Sequence, residues 1–125
     1  MVLRVPADAR YARVVRVAVS AYAVRLGLAP AAIEDLRLAV DEALILLMGA
    51  GGGLLGGEGE STLVVSLDAD DDRPPLTVEL HLEPAPRPAH PDAAARARFE
   101  EIVPVGVTVD GVDQRMGRIA LHHPG

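Results

Sequence analysis

PAAIEDLRLAVDEALILLM, residues 30–48, is the stretch of sequence that decides the fold. Its apolar residues recur at steps of three and four, which is the spacing of one helix face, at Ile33, Leu36, Val40, Ala43, Leu44 and Leu47. Pro30 suits the first position of a helix, where no N–H donor is needed, and Gly49 suits its end. The other sides are largely apolar too, through Leu38, Ile45, Leu46 and Met48. The sequence therefore predicts a helix from Pro30 to Met48 that is buried on most sides.

Shorter elements are predicted on both sides of this helix. A strand at Val2–Val5 precedes a first helix that Asp8 caps and Gly27 ends, with an apolar face at Tyr11, Val14, Val15, Ala18, Ala21 and Tyr22. Alternating apolar residues predict strands at Leu63–Ala69 and Leu76–Leu82, a strand through Val103, Val105, Val107 and Val109, and a last strand through Ile119 and Leu121. Between them we expect a short helix at Ala93–Glu101 with Phe99 turned inward, and a turn at Asp110–Gln114. We expect His122 and His123 to form a solvated pair.

This order of elements predicts an α+β fold, a two-layer α/β sandwich. We expect a mostly antiparallel, mixed sheet of about five strands, with two long helices and one short helix on one face. The 125 residues predict a single domain over 1–125. Within it, residues 49–60 are predicted to be a flexible glycine-rich loop, and residues 83–91 a stiff proline-rich connector.

Composition and charge exclude several classes of function. The chain has no cysteine, which excludes a disulfide framework and a cysteine zinc site, and its four histidines have no metal-ligand spacing. The net charge is −6, and no lysine is present, so nucleic-acid binding is not expected. No apolar run is long enough to span a membrane, and the N-terminus has no signal-peptide pattern. We therefore expect a cytoplasmic protein with no membrane partner.

The long helix and the segment before it resemble a known family. The residues are IEDLRLAVDEA at 33–43 and VPADARYARVVRVAVSAYAVRLG at 5–27. They resemble the front half of the anti-sigma-factor serine kinases of the RsbW and SpoIIAB type, which belong to the histidine-kinase-like (GHKL, Bergerat) ATPase superfamily. The likeness is good over residues 1–50 and loose beyond them. It implies a Bergerat-like fold and a homodimer.

The resemblance also implies which residues would form a nucleotide site. The family's N-box glutamate, which acts in phosphoryl transfer, corresponds to Glu42. The asparagine that holds Mg²⁺ one turn later corresponds to Leu46, and the chain contains no asparagine at all. The family's D-x-G-x-G box, which binds adenine, would fall within residues 83–91, where prolines stand instead and remove backbone donors. The glycine motif of the family's ATP lid is absent as well.

These departures favour a relic of an ATP-dependent kinase over an enzyme. We expect a degenerate anti-sigma-factor-like domain that regulates transcription by binding protein, without ATP, Mg²⁺ or kinase activity. By analogy, its partner would be a sigma factor or an STAS-type anti-anti-sigma protein. Glu42 would then cap a helix, pair with an arginine or face a vestigial pocket. Two alternatives stay open: a divergent ATP- and Mg²⁺-dependent serine kinase that keeps Glu42 as its base, and a dimerisation scaffold that binds no nucleotide.

A row of arginines marks a candidate partner-binding surface on the first helix. Arg10, Arg13 and Arg16 stand at three-residue steps, away from the apolar face. Such a row is typical of a solvated basic face, which is the interpretation we favour. The alternative is a docking surface for an acidic partner or for a second subunit.

Overall fold

The computed structural model describes residues 1–51, 61–83, 93–113 and 117–125, which form five strands and three α-helices. In chain order these are β1 Val2–Pro6, α1 Ala12–Arg25, α2 Pro30–Gly51, β2 Thr62–Asp68, β3 Leu76–Glu83, α3 Ala93–Ile102, β4 Thr108–Asp113 and β5 Arg118–His123. One-turn 3₁₀ helices lie at Ala9–Tyr11 and Asp70–Asp72. The predicted α+β class is confirmed.

The five strands form one sheet in the order β1-β2-β3-β5-β4. All four strand pairs are antiparallel, so the expectation of a mixed sheet is wrong. The strands β1 and β4 form the two edges of this sheet. The order in the sheet departs from the order in the chain at one place, where β5 lies between β3 and β4.

One aliphatic core joins the helices to one face of the sheet. On β3, every second residue is buried, at Leu76, Val78, Leu80 and Leu82, and the residues between them face the other way. The predicted face of α2 meets this surface and is fully buried at Leu36, Val40 and Ala43. Phe99 of α3 is buried, as predicted. Helices and sheet therefore lie in two layers, with the polar face of the sheet turned away from the helices.

The C-terminal end of α1 follows the predicted signal at Gly27, whereas the prediction that Asp8 caps this helix is wrong, because α1 starts at Ala12 after Tyr11, which makes no side-chain capping bond. Asp8 accepts a hydrogen bond from the Arg10 N–H at 2.9 Å and caps the preceding 3₁₀ turn. Gly27 has φ +80° and donates to the Val24 carbonyl at 3.0 Å, and the Leu28 N–H donates to the Ala23 carbonyl at 3.1 Å. This pair of bonds is a Schellman motif, which needs a left-handed residue and so favours glycine.

The buried faces of the two long helices differ from the prediction. On α1, Val15, Val19 and Ala23 are buried, whereas Val14 is 46% exposed and Ala21 is exposed. The apolar stripe that meets α2 runs at four-residue steps, so it is rotated from the predicted face. On α2, Leu38 and Ile45 are 43% and 60% exposed, and the prediction of burial on most sides is wrong for that side. The helix also continues through Gly49 to Gly51, and residues 52–60 of the predicted loop lie outside the described residues.

Three predictions for the C-terminal third of the chain are wrong. The residues predicted as a strand from Val103 form a turn instead, in which the Val107 N–H donates to the Pro104 carbonyl at 3.0 Å. The strand β4 starts at Thr108 and passes through the predicted turn, with a bulge between Val109 and Gly111. His123 is only 6% exposed, so the histidines are not a solvated pair. The strand β3 ends at Glu83, and residues 84–91 of the predicted connector lie outside the described residues.

Candidate functional site

The residues that correspond to the family's nucleotide site lie along one side of α2. Glu42 and Leu46, the two such positions on this helix, are four residues apart and share one face at 3.6 residues per turn, on which Asp35 also lies, seven residues before Glu42. Asp35 and Glu42 are half-buried, and Leu46 is 5% exposed within the apolar core. An aliphatic side chain packed in the core therefore occupies the position that corresponds to the metal-holding amide.

Glu42 makes no ion pair or hydrogen bond with the residues that the structure describes. Two of the roles expected for it, capping and pairing with an arginine, are therefore not seen in that part of the chain. It does not line either of the two cavities described below. Within the same residues, no group of three acidic, histidine or cysteine side chains is placed to hold a metal ion.

About two turns before Glu42, Asp35 lies close to the loop before β4 and to the end of β5. A Cβ atom built on Gly106 would lie 3.0 Å from the Asp35 carboxylate and 3.5 Å from Nε2 of His123. The Nδ1 atom of His123 accepts a hydrogen bond from the Gly125 N–H at 3.0 Å. The loop before β4 thus passes tightly between the start of α2 and the end of β5. Sequence analysis missed this contact, because the three residues are far apart in the chain.

A groove of about 520 Å³ runs between α1 and α2 on the outer surface of the helical layer. It is lined by Arg13, Arg16, Val17, Ser20, Ala21, Val24 and Arg37. Val17 and Val24 are 60% and 62% exposed. The Oγ atom of Ser20 is buried without a hydrogen-bond partner in the described structure. The groove therefore combines guanidinium groups with accessible apolar surface.

The three arginines of the predicted basic face differ in their partners. Arg10 does not line the groove, because its guanidinium donates to Asp8 at 2.8 and 3.1 Å. These hydrogen bonds hold the pKa of Asp8 below its usual value, and Asp8 in turn raises the pKa of Arg10. Arg16 forms an ion pair with Asp41 of α2 at 3.2 Å. Arg13 forms no ion pair with any described residue, so its charge is available to a ligand.

Arg37 was not predicted as a site residue. It lines the groove from the α2 side and pairs with Glu34 at 2.9 Å. A signal for this surface exists in the sequence, because Val17, Ala21 and Val24 are spaced at i, i+4 and i+7 beside Arg13. Only the packing of α1 on α2 shows that this stripe is exposed and that Arg37 completes it.

The polar face of the sheet carries a second charged group of side chains. His81 lies between two glutamates of its own strand, with Nε2 2.9 Å from Glu83 and Nδ1 3.9 Å from Glu79. Arg4 of β1 pairs with Glu83 at 2.9 Å, and Arg118 of β5 lies 3.4 Å from Glu79. The hydrogen bond from His81, followed by that from Arg4, holds the pKa of Glu83 below its usual value. These pairs connect three strands across the sheet.

The sequence matches no protein-family model, and it matches no curated protein at a significant level. The likeness to the anti-sigma-factor kinases therefore rests on the residues of the first two helices alone. Within the described part of the chain, no helix combines the length and apolar character that crossing a bilayer needs.

Proposed function

We propose that this chain is a regulatory domain that binds another protein through the groove between α1 and α2. Its architecture would be a degenerate form of the Bergerat-like sandwich. The observation that carries the proposal is the exposed, basic and apolar surface around Arg13, Val17 and Val24. An isolated exposed valine needs no explanation, but a stripe of them beside unpaired positive charge is typical of an interaction surface.

Charge favours an acidic partner. The helix α1 carries Arg13, Arg16 and Arg25 and contains no acidic residue. The whole chain has a net charge of −6, and Arg16 and Arg37 are paired with acids of α2, so among the described residues Arg13 supplies the groove's unpaired positive charge. Such a patch would speed the encounter with a negatively charged surface and orient it. By analogy with the resembled family, the partner is a sigma factor or an STAS-type protein, and the chain is a homodimer.

The side of α2 that carries Leu46 supports a role without nucleotide. Phosphoryl transfer depends on charge neutralisation by Mg²⁺ and on positioned donors. The apolar Leu46 offers no ligand for the metal, and its side chain is only 5% exposed. Under this proposal Glu42 is a remnant of the ancestral site.

One observation favours the alternative of a serine kinase. Glu42 is half-buried and has no ion-pair partner among the described residues, so its carboxylate is available to act as a base. Transfer of phosphate from Mg·ATP to a serine of a partner, lost in Glu42→Gln, would support this alternative over the first proposal.

Binding of purified sigma factors and STAS-type proteins from the source cell tests the proposed function. Arg13→Glu and Val17→Asp should each weaken binding by about tenfold, since a charge reversal or a buried charge at an interface costs more than 1 kcal/mol. Arg98→Glu on α3 makes the same change of charge away from the groove and should bind as the wild type does. If neither partner class binds the folded wild-type chain, the assignment of the partner is wrong. Sedimentation of the chain alone tests the homodimer.

A further inference from the structure

The strand β4 forms an open edge of the sheet, beside a second cavity. It pairs with β5 on one side and with no described strand on the other. A cleft of about 480 Å³ lies between β4 and α3. Its lining includes Arg96 and Glu100 of α3, Val103 and Val105 of the preceding turn, and Val109 and Val112 of β4. An exposed edge strand beside a cleft that can take alternate side chains is the arrangement in which extended peptides add to a sheet.

The two edges of the sheet differ in how well they are protected against such pairing. The edge strand β1 ends at Pro6, which lacks an N–H donor, and it carries Arg4. Proline and basic side chains are features that discourage strand addition. The strand β4 contains neither, since its sequence is TVDGVD. Its bulge at Asp110 interrupts the ladder locally, but Gly111, Val112 and Asp113 pair with β5 in regular register.

The cleft provides apolar contacts for alternate side chains of an added strand. Val105 is wholly exposed, and Val103, Val109 and Val112 are only partly buried against the core. An added strand would place every second side chain on the core side of the sheet, over these valines and under α3. Small aliphatic side chains fit against these valines, and the polar groups of the lining, which include Arg96, Glu100 and Asp110, border them.

The charges at the rim favour a basic segment over a second copy of β4. Asp110 is exposed and has no ion pair with any described residue, while Arg96 and Glu100 neutralise each other at 3.2 Å. Two copies of β4 paired with each other would bring their aspartates together, and like charges on adjacent strands are destabilising. An arginine or lysine on the added strand would instead pair with Asp110.

We propose that β4 binds an extended segment of a partner protein by strand addition, with small aliphatic residues over the cleft and a basic residue against Asp110. This site lies on β4 and α3, so it is independent of the groove between α1 and α2. Either site can fail its test without affecting the other.

Two synthetic peptides, capped at both ends, test this proposal on the full chain. They have the sequences Ser-Arg-Val-Thr-Val-Arg-Ser and Ser-Glu-Val-Thr-Val-Glu-Ser. The expected result is that the arginine peptide at millimolar concentration slows amide hydrogen exchange in Gly111–Asp113. Asp110→Arg should weaken this peptide about two- to fivefold, the range of an exposed ion pair, and strengthen the glutamate peptide similarly.

Further variants separate strand addition from general attraction. Val105→Ser removes the apolar contact without adding charge and should weaken the arginine peptide without affecting the fold, because Val105 is wholly exposed, whereas Val14→Ser on α1 is the matched control and should bind the peptide as the wild type does. N-methylation of the central peptide bonds should abolish binding by removing donors. The proposal is overturned if neither peptide slows exchange in β4, or if both do so equally. It is also overturned if protection of β4 increases with protein concentration in the absence of peptide, since a second copy would then cover the edge.

Discussion

Replacing Leu46 by asparagine restores the amide that the resembled family uses to hold Mg²⁺, and its cost follows from the burial of this side chain. Leu46 is 95% removed from solvent. Burying a leucine contributes about 1.5–3 kcal/mol, and a buried amide without partners costs roughly 1–3 kcal/mol more. We therefore expect Leu46→Asn to lower the free energy of unfolding by about 3–6 kcal/mol, a large part of the stability of a typical domain.

Ile45→Asn is the matched control for this variant. It lies one residue earlier in the same helix and introduces the same side chain, but Ile45 is 60% exposed. Its expected cost is about 1 kcal/mol, from the part of the side chain that is buried and from the lower helix propensity of asparagine. Any difference between the two variants therefore reports on burial and not on helix formation.

Thermal unfolding with and without Mg·ATP measures both effects. Without nucleotide, Leu46→Asn should melt about 10–25 °C below the wild type, and Ile45→Asn only a few degrees below it. If the two variants melt together, Leu46 is not packed in the core and the structural reason given for the loss of the metal site is wrong. If Mg·ATP stabilises Leu46→Asn but not the wild type, Leu46 alone blocks an otherwise intact nucleotide site, and the degeneracy of the wild type lies at that one position.

Three further predictions concern the wild-type site, the sheet and the first helix. Wild-type chain should show no change of melting temperature with millimolar Mg·ATP or Mg·ADP, whereas a ligand at 100 times its Kd would add about 2.7 kcal/mol. A clear shift would place the kinase alternative first. Because the folded state lowers the pKa of Glu83 from its ordinary value of 4.5, its contribution to stability is present above that pH and is lost as the pH falls through the lowered value. The difference in melting temperature between wild type and Glu83→Gln should therefore shrink below pH 4.5, and a pH-independent difference would contradict the assigned interactions. Gly27→Ala should cost about 1 kcal/mol or more, because Gly27 has φ +80°, whereas Gly111→Ala, whose Cβ meets open space, should change stability by less than about 0.5 kcal/mol in chemical denaturation. Equal costs for the two substitutions would refute the role given to the left-handed conformation.

Local signals in the sequence were enough to predict most elements. Gly27 ends α1 because a left-handed residue acts on its own neighbours, and the alternation in β3 shows its buried face directly. Asp8 also caps its own neighbours, but these form a 3₁₀ turn before α1. The prediction of the α2 core face was also correct, since a continuous aliphatic stripe is buried in almost any packing. The start of β4 was harder to predict. The valines from Val103 to Val107 alternate along the sequence, but they lie in the turn before this strand.

The sequence by itself therefore determined the class of fold. It also determined which side-chain chemistry is absent, since no packing can supply an asparagine or a cysteine that the chain does not contain. Tertiary structure decided which apolar residues remain exposed. Val17 and Ile45 are as apolar as their buried neighbours, and the way the helices pack on each other and on the sheet leaves them in solvent. It also decided which charges are available. Arg10 and Arg13 look alike in the row of arginines, but a hydrogen bond to Asp8 ties Arg10 while Arg13 faces the groove. The bond between Arg10 and Asp8 is local, whereas burial and the pair of Arg16 with Asp41 depend on residues far away in the chain, which local sequence patterns do not record.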